Sequence, residues 1–89
     1  MEEPITDVEF RKVRNPYTKE IEVIAIFVKE DWDYAGNEFA SYMHVGQHGG
    51  ADKVWAKRLR FASESEYTPL KNELENIVGY RLNVLNKAA

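Results

Sequence analysis

Ile21-Glu22-Val23-Ile24-Ala25-Ile26-Phe27-Val28 decides the fold of this chain. Side chains alternate across an extended strand, so Ile21, Val23 and Phe27 fall on one face and Ile24, Ile26 and Val28 on the other. From Val23 onward both faces are apolar, which is the pattern of a central strand covered on both sides. The strands beside it and the elements that cover it must come from the rest of the chain or from a second copy.

Upstream, Val8 and Phe10 alternate with Glu9 and Arg11, the period-2 signature of a half-buried strand. Asn15-Pro16-Tyr17-Thr18 then turns the chain, because Pro16 presets φ and the Asn15 side chain bonds its own backbone, so a hairpin into 21–28 is expected. Downstream, a polar loop carries Trp32, Tyr34, Gly36 and Asn37, and strand character resumes over 39–45. There Phe39, Ser41, Met43 and Val45 share one face, and Ala40, Tyr42 and His44 share the other.

Near the C-terminus Tyr67, Leu70, Leu74, Ile77 and Val78 recur at three- and four-residue steps, which describes an amphipathic helix. Ser63 to Glu66 matches a capping box, while Thr68-Pro69 offers an N-cap followed by proline at the first helical position. Because proline inside a helix costs a hydrogen bond and a clash, a loose first turn and a regular helix from about Thr68 are expected. Gly79 supplies a left-handed cap, and Tyr80, Leu82 and Val84 alternate into a last strand.

That helix covers one face of the sheet, and the other needs its own cover. Periodicity leaves 51–61 open between helix, strand and irregular structure, but Trp55 and Leu59 place it as the cover for the second face. The expectation is an α+β protein forming one domain over 1–89, with a mostly antiparallel sheet of about four strands and the C-terminal amphipathic helix packed on one face. The element order is β-β-β-(irregular or short helix)-α-β. A monomer is favoured over a homodimer, since the second face can be closed from within the chain.

Composition removes several function classes. The chain has 89 residues, 44% hydrophobic and 30% charged, with a net charge of −3, so it suits one modest core. Without cysteine there is no disulfide framework, zinc ribbon, iron–sulfur cluster or thiol catalysis. The acidic start Met1-Glu2-Glu3-Pro4 and the lack of a long apolar run make a soluble cytoplasmic protein, without a membrane partner, the default.

The most unusual stretch runs from Ser41 to Asp52 and brings together both histidines, three glycines and an acid. His44, Gly46, Gln47, His48 and Gly49 form one candidate binding loop, and Trp32 with Tyr34 forms a second. A metal-dependent alternative takes His44, His48 and Asp52 as imidazole and carboxylate ligands, although no H-E-x-x-H pattern supports it. A single-stranded nucleic-acid alternative uses Lys53, Trp55, Lys57, Arg58 and Arg60, with bases stacking on Trp55 and Phe61. Gly46-Gln47-His48-Gly49 also satisfies a G-x-x-G pattern that clamps nucleotide backbones, but that loop joins two helices and this one leaves a strand. A large aromatic in so small a chain is more often core, and Trp55 is read that way. No G-x-S-x-G is present, and Asp31 and Asp33, flanking Trp32, read as a solvated charge run, so no catalytic residue and no cofactor is assigned.

The Ser41 to Gly49 stretch with its Tyr-Met-His-Val-Gly-Gln-His-Gly string, the Ser63-Glu64-Ser65-Glu66-Tyr67 helix start and the Glu73-Leu74-Glu75 to Gly79-Tyr80 helix end together resemble a group of short bacterial proteins. These belong to gut Bacteroides-type genomes and their mobile elements. The resemblance covers most of the chain and implies an α+β domain, with no activity, ligand or partner attached. The functional expectation is a small non-enzymatic binding or accessory module, for which a protein partner or self-association is favoured over nucleic acid.

Overall fold

A computed structural model describes residues 4–43 and 47–86. β1 (Thr6–Arg14), β2 (Ile21–Asp31), β3 (Glu38–Met43), β4 (Gln47–Asp52) and β5 (Leu82–Val84) form one sheet in the order β4-β3-β2-β1-β5. β1 to β4 run as an antiparallel meander, and β5 joins the edge of β1 in parallel, so the sheet is mixed and has five strands rather than four. The fifth comes from β4. The glycine-rich segment expected as a loop is extended and pairs residue for residue with β3, from Glu38 opposite Asp52 to Met43 opposite Gln47.

The β1–β2 hairpin turns as its sequence implies: Asn15 Oδ1 accepts from the amides of Tyr17 and Thr18 at 2.9 and 3.2 Å. β2 is covered on both faces. Val23, Ala25 and Phe27 pack with Val8, Phe10 and Tyr42 beneath Leu70 and Leu74 of the long helix α2 (Glu64–Glu73) and its π-helical continuation Leu74–Val78. Ile24, Ile26 and Val28 pack with Phe39 and Ala51 beneath the short helix α1 (Lys53–Arg58). Ile26 is 0% and Phe27 1% exposed, and each contributes roughly 1.5–3 kcal/mol of burial free energy from an opposite face.

The 51–61 segment does cover the second face, but through Ala56 and Leu59. Trp55 departs from the core reading: it stands on the flank of α1 with 42% of its surface exposed. The reason is helical phase. With Ala56 and Leu59 turned inward three residues apart, Trp55 is rotated by ~100° from Ala56, off the buried stripe.

Arg11 fixes the far end of α1. Its side chain lies on the α1 face opposite Ile24, donates to the Leu59 carbonyl at 2.6 Å and to Glu9 Oε1 at 2.9 and 3.1 Å, and stacks 4.2 Å from the centre of the Phe61 ring. Residues 60–62 then pair with the edge of β1, where Lys12 N–H donates to Arg60 and Ala62 N–H to Phe10. Asn86 closes the gap between this pairing and β5: its amide accepts from Phe10 N–H and donates to the carbonyls of Phe10 and Ala62.

α2 begins at Glu64, a turn earlier than expected. The reciprocal capping box between Ser63 and Glu66 outweighs the proline, and Pro69 sits within the helix. At the other end Gly79 (φ 99°) and Tyr80 both donate their amides to Leu74, and this wide turn lays the Tyr80 ring on Phe27, 5.1 Å between centres.

Candidate functional site

Across an antiparallel ladder, directly paired residues share a face. His48 is paired with Tyr42 and Gly50 with Ala40, and Tyr42 belongs to the core beneath α2, so His48, Gly50 and Asp52 lie on the α2 face of the outermost strand. α2 and Tyr80 close that face over β1, β2 and β3. Over β4 it is open, and there side chains from two sequence-distant segments reach the strand.

The first comes from the β2–β3 connection. A β-carbon on Gly50 would stand 2.5 Å from Trp32 Cδ1 and 2.7 Å from Glu38 Oε2, so the indole and the Glu38 carboxylate occupy the space above that glycine. Trp32 is held there by its amide, which donates to Glu38 O at 2.8 Å, and by Asp33, whose Oδ1 caps the loop by accepting from Asn37 and Glu38 at 2.9 Å. Asp33 thus has a definite structural role, and Asp31 pairs with Lys53 at 2.6 Å, so neither is a bare solvated charge.

The second comes from the end of α2. His48 stands edge-on to the Tyr42 ring, 4.7 Å between centres, and its Nε2 is 3.2 Å from the Tyr80 hydroxyl. Tyr42 donates its hydroxyl to Glu73. Burial pushes the Tyr80 phenol above its ordinary value, with the Glu30 carboxylate adding to the effect.

The two candidate loops therefore converge only in part. Trp32 and His48 reach one face of β4 two residues apart, while the Tyr34 side chain is fully exposed. Gln47 and Gly49 belong to β4 and not to a loop; His44 and Gly46, the first glycine of the G-x-x-G pattern, lie outside the described residues. Of the three residues of the metal alternative, the two described ones stand apart. His48 and Asp52 are four strand residues apart, ~13 Å along β4, and Asp52 Oδ1 is occupied as the N-cap of α1, accepting from Trp55 N–H. Among the described residues no group of three or more potential ligands gathers around one point.

The basic segment is divided between paired and exposed side chains. Lys53 is folded onto Asp31 and the Phe39 ring, while Lys57, Arg58 and Arg60 are exposed and Phe61 lies under Arg11. Tyr80, Gly50 and Glu38 are the site residues that sequence reading missed. Among the described residues no helix is long and apolar enough to cross a membrane. Comparison of the chain with protein-family models, with curated proteins and with solved structures finds no match.

Backbone polarity completes the site. Lys53 N–H donates to Asn37 O beside the Glu38–Asp52 pair, which places the odd-numbered residues of β4 in hydrogen-bonded pairs with β3. The even-numbered ones, His48, Gly50 and Asp52, turn their amides away from β3. The carbonyls of His48 and Gly50 turn outward with them, whereas that of Asp52 starts the α1 ladder.

Proposed function

We propose that this protein is a small non-enzymatic binding module that recognises another polypeptide along the β4 edge. The observation that supports this reading is the juxtaposition of an outward-facing row of backbone donors and acceptors at His48, Gly50 and Asp52 with the half-exposed Trp32, 52% accessible, directly above it. Strand addition takes its affinity from main-chain hydrogen bonds and its selectivity from the side chains that flank the new strand. Here Trp32, His48 and Tyr80 are those flanking groups. Native sheets guard long edges with lysine, proline or a bulge, and Gln47–Asp52 carries none of these.

The test is a titration of isotope-labelled protein, followed by amide resonances, with capped extended hexapeptides and separately with a single-stranded oligonucleotide. Peptide-induced shifts concentrated at 48–52 and at the Trp32 indole support the reading; shifts only at 53–60 with the oligonucleotide overturn it. A second reading, single-stranded nucleic-acid binding, draws on one observation: Trp55 is half-exposed on the same short helix as the exposed Lys57 and Arg58. Salt-dependent quenching of Trp55 by the oligonucleotide is its signature.

A further inference from the structure

The geometry points to a second copy of this chain as the polypeptide that pairs with β4, in an antiparallel two-fold arrangement centred on Gly50. This rests on the reading of β4 as the binding edge and names its partner. The register follows from the backbone. Outward-facing residues must meet outward-facing residues, so a symmetric antiparallel pairing that uses all three places Gly50 opposite Gly50 of the second copy and His48 opposite its Asp52. Each Gly50 amide then donates to the other Gly50 carbonyl, and each Asp52 amide donates to the other His48 carbonyl.

Three side-chain features suit this register and no neighbouring one. His48 and Asp52 lie on the same face, so the pairing sets an imidazole against a carboxylate at both ends of the contact. Asp52 caps α1 with Oδ1, which leaves Oδ2 for that imidazole. Glycine at the axis lets the backbones meet beneath the two Trp32 indoles, each already seated over its own Gly50, so two half-exposed aromatic surfaces are removed from water together. Glu38 works against association, because its carboxylate also lies over Gly50 and meets its counterpart across the axis. The apolar face of β2 is closed within the chain by α1, so this contact uses the edge of the sheet and leaves both cores intact.

Sedimentation velocity over a hundredfold concentration range, paired with amide exchange by NMR on the full chain, tests the proposal. The expected result is a reversible dimer in which the Gly50 and Asp52 amides exchange at least tenfold more slowly at the highest concentration, while Ala51, bonded to β3, is protected throughout. His48→Asp, which sets like charges opposite each other, lowers the association constant at least tenfold with the circular dichroism spectrum unchanged. Asp52→Asn in that background restores part of the loss, asparagine being an equally good N-cap. Glu38→Gln strengthens association. A protein that stays monomeric throughout, or a dimer whose Gly50 amide is unprotected, overturns the proposal. If hexapeptides still shift 48–52 in a strictly monomeric protein, the second copy is excluded while the binding edge stands; if neither peptide nor protein engages the edge, both fail.

Discussion

The indole of Trp32 occupies the space that a β-carbon on Gly50 would need, with Cδ1 2.5 Å from that position. A residue in the β2–β3 connection and a glycine in the outermost strand therefore constrain each other across the sheet, and the surface over β4 depends on both.

Gly50→Ala should cost about 1–2 kcal/mol, since the indole and the flexible Glu38 carboxylate can move but lose their seats. Gly49→Ala should fall within about 0.5 kcal/mol of the parent protein, because its β-carbon would meet nothing within 4 Å. Urea unfolding measures both, and in a Trp55→Phe background the emission of Trp32 should shift to the red only for the Gly50 variant.

Arg11→Ala should destabilise the fold by about 2–4 kcal/mol, because it leaves the Leu59 carbonyl and the Glu9 carboxylate without the guanidinium that joins them. Arg11→Lys should recover only a small part of this, since a point charge cannot bond both groups and stack on Phe61. Chemical denaturation of the three proteins checks the ranking.

Leu59→Asp should unfold the protein, as it places a carboxylate against Ile24 and Ile26 beneath α1. Trp55→Ala should cost no more than about 1 kcal/mol, the loss expected of a half-exposed side chain. Thermal melts of the two variants separate the helix face that supports the sheet from the face that does not.

Acid should weaken the fold through two carboxylates. Glu66 is held below its ordinary value by the Ser63 amide and hydroxyl of the capping box, and Asp7 by hydrogen bonds from Lys29 and Asn83. A depressed acid stabilises the folded state fully above its ordinary value, 4.5 for Glu66 and 3.8 for Asp7, and loses that contribution as pH falls below it through the lower folded value. Glu66→Gln, which keeps a capping group but cannot titrate, should flatten the stability profile over that acid limb in pH-dependent urea titrations.

Much of this was legible in the residues. Alternation at 21–28 assigns each side chain of β2 to its observed face, and the partners of β1 and β3 follow from the same period. The short-range signals at Asn15 and Gly79 act as their chemistry implies. β4 was not legible, because a strand built on Gly49-Gly50 lacks the β-branched pattern and owes its extended form to pairing with β3. Trp55 was misread for a different reason: its size argues for burial, while the phase of a six-residue helix set by Ala56 and Leu59 turns it outward.

The candidate site divides along the same line. Sequence alone determined that one strand is apolar on both faces, that both flanks must be covered, and that chemistry depending on cysteine is excluded, because these follow from local period and composition. Tertiary structure alone decided that Trp32, Glu38, His48, Gly50 and Tyr80 share one face at the β4 edge. Their meeting depends on the register between strands and on where the turn after α2 sets Tyr80 down, and register is fixed by packing across the whole sheet rather than by any residue's own neighbours.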